Sequence, residues 1–175
     1  MPSERHLVLV GMMGSGKTAT GRRLAARLGR AFVDTDALVE AATGATVAEF
    51  FGREGEPAFR RAERRAIADA LAAEPGAVIA TGGGAVLDAE SREVMRERAT
   101  VVWLDPPVPT IVTRLEDDGS RPLLRGREIV DELTRLHEER RPWYEAVAHT
   151  RVAIDADVDA VADAVASALE TLEAA

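Results

Sequence analysis

The chain has 175 residues and a formal net charge of −8, with 46% hydrophobic and 30% charged residues, which suits one folded domain rather than a disordered tail. Its basic residues are scattered, excluding the clustered positive face of a nucleic-acid binder, and the absence of cysteine excludes disulfides and thiolate zinc sites. His6, His137 and His149 are too isolated to read as a metal cluster, so any metal must be held by oxygen.

The first apolar run, HLVLVG (6–11), is far shorter than a signal-peptide core or the ~20 residues of a membrane span, so a cytoplasmic protein with no membrane partner is expected. It reads as a strand, and GMMGSGKT (11–18) follows it directly. That string matches G-x-x-x-x-G-K-[ST], with a predicted strand before it and a helix (17–28) starting within it. Gly11, Gly14 and Gly16 let backbone N–H groups wrap phosphates at the positive end of the helix. Lys17 is then expected on the β- and γ-phosphates and the Thr18 hydroxyl on Mg²⁺. The competing reading is a glycine-rich turn that binds nothing.

Lys17 is the only lysine beside 21 arginines. An ammonium is a compact charge on a slim stem, whereas a guanidinium is a wide planar fork, so this is the one basic position where the chemistry excludes Arg.

AFVD (31–34), AVIATG (77–82), TVVWLD (100–105) and TRVAID (150–155) read as four more strands, short and buried on both faces, as in a parallel sheet. Helical patterns lie between them. One starts at Thr46 with Glu49 at capping-box spacing, and one runs over 56–73 until Pro75 and Gly76 stop the pattern. Others cover 89–98, 107–116, 128–147 and 157–175. The alternation predicts a doubly wound α/β fold over 1–175 as one domain, without linker or repeat.

DTD (34–36) falls at the carboxyl end of a strand, where ligand clefts form. Its carboxylates can serve a hydrated Mg²⁺ and an acceptor hydroxyl, or Asp36 can simply cap the next helix. GGG (82–84) reads as a tight turn or as bare backbone against which a ligand rests. The insert EDDGSRPLLRGRE (116–128) lies between two helices and reads as a mobile lid or as a plain surface loop. Size and the lack of an N-K-x-D segment favour a small-molecule kinase over a motor ATPase or switch GTPase.

GMMGSGKT, GRRLA, DTD, GEPAFRRAE, TGGGAV, RPLL and RRPWYEAVA, in this order, resemble the shikimate kinase family over residues ~6 to 155. The resemblance implies transfer of the ATP γ-phosphoryl to the 3-hydroxyl of shikimate, with Mg²⁺, on the way to chorismate and the aromatic amino acids. It also implies a three-layer fold of the nucleoside monophosphate kinase type, a five-stranded parallel sheet of order 2-3-1-4-5, a closing lid and a monomer.

By the same resemblance Asp36 meets the acceptor hydroxyl and Asp34 holds Mg²⁺ through water. Arg60 and Arg140 grip the shikimate carboxylate, and Gly82, Gly83 and Gly84 back its ring. Arg121 reaches from the lid toward the transferring phosphate, and Arg114 packs on the adenine. Gly14, Ser15, Gly16, Lys17, Thr18 and Ala19 surround the phosphates. Ala19, where many relatives carry Ser or Thr, offers only its backbone N–H to the α-phosphate. Glu63 and Phe59 brace and line the pocket, while Trp143 and Tyr144 pack near Arg140. Without the resemblance, Arg60 is one of four arginines on a charged helix, best read as a solvated face. The rival readings are a kinase of another hydroxy acid, such as gluconate, and a regulator that binds nucleotide without turnover.

Overall fold

The computed structural model describes residues 5–73, 76–117 and 126–175. Five strands, β1 (His6–Val10), β2 (Phe32–Asp34), β3 (Val78–Ala80), β4 (Ala99–Leu104) and β5 (Thr150–Val152), form one sheet in the order β2-β3-β1-β4-β5. Every pairing is parallel, as the expected order requires. The helices are α1 (Lys17–Leu28), α2 (Thr35–Thr43), α3 (Val47–Glu54), α4 (Glu56–Ala72), α5 (Ala89–Arg98), α6 (Val108–Asp117), α7 (Arg127–Val147) and α8 (Val158–Ala174).

β1 alternates its side chains between two cores. Val8 and Val10 join Ile67, Met95, Trp103 and Tyr144 beneath α4, α5 and α7. Leu7 and Leu9 join Leu24, Val102, Leu104 and Val165 beneath α1 and α8. With apolar layers on both faces, β1 is buried along its whole length. The edge strands differ from the expectation, since β2 is half-buried and Arg151 of β5 is exposed. An edge strand has a neighbour on one side only, which leaves its outer side more open. Strands expected over 77–82 and 150–155 are shorter, at three residues each.

A smaller core of Val39, Phe59 and Ala66, with Leu38, Val47 and Phe50 against it, ties α2, α3 and α4 together beyond the β2 edge. α3 has no fully buried residue and starts at the expected capping box, in which the Thr46 hydroxyl accepts from Glu49 N–H at 3.1 Å and Glu49 accepts from Thr46 N–H at 3.0 Å. α6 ends at Asp117 and α7 begins at Arg127, so most of the expected lid, with Arg121, lies outside the described residues.

Candidate active site

The loop after β1 is pressed against the sheet, since a methyl group on Gly11 would stand 2.4 Å from the Leu104 carbonyl oxygen. Gly11, Gly14 and Gly16 have φ of 150°, 75° and 90°, values that L side chains rarely adopt. Gly16 is the N-cap of α1, no side chain caps that end, and its first turn holds no acidic residue. The N–H groups of Lys17, Thr18 and Ala19 and the positive end of the helix are therefore left for an anion. Ser15 is buried within the loop.

Lys17 is 8% exposed, and its ammonium donates to the carbonyls of Gly11 (2.7 Å) and Met12 (2.8 Å) and to Ser15 Oγ (3.4 Å). Burial pulls its pKa down to about 8, against the opposing pull of the Asp36 and Asp34 carboxylates. Three oxygens converging on one atom suit the point charge of an ammonium better than the planar fork of a guanidinium.

Asp34 and Asp36 divide their work differently from the alternative in which Asp36 caps the next helix. Asp34 is the cap of α2, with Oδ1 accepting from the N–H groups of Asp36 (2.9 Å) and Ala37 (3.4 Å). Its other oxygen accepts from the Thr18 hydroxyl at 3.0 Å, joining the end of β2 to the phosphate loop. The chain caps with the residue just before the helix, which leaves Asp36, in the first turn, available for other work. Asp36 Oδ1 is buried with no partner among the described residues. Burial, then the nearby Asp34 charge, raises the Asp36 pKa above the usual carboxylate range, with Lys17 pulling the other way.

Thr18 and Asp34 supply neighbouring hard oxygens, which fits Mg²⁺, an ion that keeps several waters and takes few protein ligands. Among the described residues no group of three His, Cys, Asp or Glu forms a separate metal site.

Gly82, Gly83 and Gly84 draw the acceptor residues together. A methyl on Gly82 would lie 2.7 Å from Glu63 Oε1 and 3.0 Å from Asp36 Oδ1, and one on Gly84 would lie 2.5 Å from both Arg60 Nη atoms. At Gly83 it would meet the Met13 backbone nitrogen at 2.9 Å and Arg140 Nη1 at 3.6 Å. These glycines serve close approach of the protein's own side chains and of the Met13 backbone rather than an unusual φ. Arg60 leaves the solvated face expected from its neighbours. Its Nη1 donates to Glu63 Oε2 at 2.7 Å, Nη2 lies 3.5 Å from Glu56, and the guanidinium sits over the Phe59 ring. Glu63 is buried, and burial raises its pKa although the bond to Arg60 lowers it. The Arg140 guanidinium lies beside the Tyr144 hydroxyl and the Gly83 backbone, and its charge reaches Glu63 and Lys17.

On the other flank, Arg114 Nη1 donates to the Gly14 carbonyl (3.4 Å) and Nη2 to that of Ala156 (3.3 Å). With Gly16, Ala19, Thr113 and Asp155 it lines a cleft of about 660 Å³ beside the phosphate loop. Trp143 is 41% exposed with Arg92 over its ring, whereas Tyr144 is fully buried and stacks on Trp103 at 5.4 Å. The reach of Tyr144 to Gly83 escaped the sequence, as did a cluster around the buried Asp105 at the end of β4. There Asp105 accepts from Arg151 Nε (2.8 Å) and bonds His137 Nε2 (2.7 Å). Nothing in the local pattern of either segment announces the other.

A phosphate loop at the middle of a parallel sheet, opening on a pocket with a buried carboxylate and two guanidiniums, defines a P-loop kinase of small molecules. The shikimate kinase family model matches residues 13–171, and the chain belongs to that family. The shikimate kinase of Symbiobacterium thermophilum is 49% identical over 170 residues, covering 96% of each chain. Among solved structures, shikimate kinase from Acinetobacter baumannii in complex with shikimate aligns with a TM-score of 0.86 at 36% identity, covering 97% of this chain and 93% of that one. The enzyme from Aquifex aeolicus gives 0.81 at 31% identity, covering 96% and 98%.

Proposed function

We propose that the protein transfers the γ-phosphoryl of ATP to the 3-hydroxyl of shikimate, giving shikimate 3-phosphate and ADP, in the route to chorismate and the aromatic amino acids. The observation that carries this reading is the convergence of Asp36, Glu63, Arg60 and Arg140 on Gly82, Gly83 and Gly84, with Gly83 against the phosphate loop. Such a pocket offers a carboxylate to a hydroxyl and guanidinium forks to an acid, a few ångströms from where phosphates rest.

In the reaction the acceptor oxygen bonds the γ-phosphorus while the bond to the β–γ bridging oxygen breaks and ADP leaves. Asp36 holds the hydroxyl and takes its proton, with orientation the larger part of its work because a loose transfer state needs positioning more than a strong base. Arg60, fixed by Glu63, and Arg140 hold the substrate carboxylate, bidentately where geometry allows. Lys17 shifts from loop carbonyls to the β- and γ-phosphates, and the N–H groups of residues 14–19 cradle them. Thr18 and, through water, Asp34 would hold Mg²⁺, which would supply neutralisation of phosphate charge. Arg114 packs on the adenine, and Arg121 belongs to the lid that adds charge at the transferring group.

The single sheet supports one domain over 1–175, with 116–128 as the lid. We read the enzyme as a cytoplasmic monomer, and no helix among the described residues is long and apolar enough to cross a membrane. An ADP-release assay with shikimate and gluconate side by side tests the reading. Turnover with shikimate is expected, and turnover with gluconate alone, or binding of both substrates without ADP, would overturn it.

A further inference from the structure

The α7 turn that carries Arg140 also carries Tyr144, four positions on and on the same helix face. The Tyr144 hydroxyl donates to the Gly83 carbonyl at 2.6 Å, across 61 residues of chain. Gly83 in turn lies so close to the phosphate loop that a methyl there would meet the Met13 nitrogen at 2.9 Å. The ring cannot drift, since it is wholly buried and stacked on Trp103 with 17° between the planes. One side chain thus bridges the helix that presents Arg140, the glycines of the acceptor pocket and, through them, the phosphate loop.

We propose that Tyr144 is a positioning residue, whose hydroxyl, donating to the Gly83 carbonyl and lying against the Arg140 guanidinium, fixes the glycine loop and Arg140 relative to each other at the height the acceptor ring needs. It touches no substrate itself. Burial pushes its phenol pKa up to about 12, so it stays a donor throughout the working pH range. Loss of the bond leaves the Gly83 carbonyl unheld on this side and lets the loop move toward or away from Met13. The cost falls on the acceptor, whose ring rests on that backbone, rather than on ATP, whose cradle is built within residues 11–19.

This inference rests on the shikimate kinase reading above. Tyr144→Phe keeps the stacked ring and removes the donor, and it should raise KM for shikimate about fivefold, the equivalent of one neutral hydrogen bond, while KM for ATP stays within about twofold. Val147→Ala, one turn further along α7 and buried in the same core, serves as a packing control. It should lower Tm and leave both KM values as they are, because a smaller folded fraction changes the amount of active enzyme and not its affinity. Tyr144 is the chain's single tyrosine, so 3-fluorotyrosine incorporation gives one fluorine resonance that shikimate should shift in otherwise unaltered protein. Wild-type KM values in Tyr144→Phe, the same shikimate KM rise in Val147→Ala, or a resonance that shikimate leaves unmoved would each overturn the proposal. Failure of the wild-type enzyme to turn over shikimate would instead sink the functional reading on which it rests.

Discussion

The phosphate loop takes all its groups from residues 11–19, whereas the acceptor pocket gathers Asp36, Arg60, Glu63, three glycines and Arg140 from elements lying between α2 and α7. The first is made of backbone, with conformation enforced by glycines, a helix end left uncapped and one side chain threaded back through it. The second is made of side chains that meet only because α4 and α7 pack against the loop after β3. A backbone site is insensitive to most substitutions around it, and a side-chain site depends on each member and on what holds that member in place.

Lys17→Arg is the sharpest way to break this contrast, because it strikes the one place where the backbone site depends on a side chain. We expect kcat/KM to fall by about three orders of magnitude, as for loss of a main stabiliser of transition-state charge. Near-normal turnover in the coupled assay would show that the loop needs only a positive charge. Asp36→Asn should lower kcat about a hundredfold, the usual worth of a general base. Its Tm should hold, because Asp34 and not Asp36 caps α2. Asp34→Ala, by contrast, should cost about 1 kcal/mol of stability as well as activity, and matched melting curves for the two variants would show the division to be mistaken.

Arg140→Lys addresses the acceptor side alone. KM for shikimate should rise about tenfold with KM for ATP nearly fixed, since an ammonium cannot grip a carboxylate with two parallel bonds. Equal changes in both constants would mean that Arg140 belongs to neither site in particular. The smallest effect is a titration. Lys17 has a pKa near 8 in the free protein, so above that pH its charged form, which phosphates favour, must first regain a proton. ATP affinity should therefore weaken a few-fold between about pH 7 and 9. Calorimetry showing tighter binding with rising pH would reverse the sign.

The same contrast explains what the sequence could reveal. The phosphate site is one uninterrupted string with a strand before it and a helix after it, so local pattern sufficed. The sheet order required the family likeness, and so did Arg60, which by charge pattern alone sat on a solvated face beside Arg61, Arg64 and Arg65. Asp34 and Asp36 could not be told apart by spacing because either can cap a helix, and only the observed start of α2 at Thr35 decides. Tyr144 read as packing, which it is, but its hydroxyl reaches a carbonyl 61 residues away, and no local pattern encodes that distance.

The position of β1 in the middle of the sheet has a consequence for how such an enzyme can be recombined. β3 and β2 lie on one flank of it and β4 and β5 on the other, so Asp36, Arg60 and the three glycines hang from one side while Arg114 and its Ala156 partner hang from the other. A segment exchange from Asp34 to Leu87 would re-cut the acceptor pocket and leave the nucleobase cleft untouched. The α7 turn from Arg140 to Tyr144 crosses that divide, so a chimaera that swaps acceptor preference has to bring this turn along with the graft.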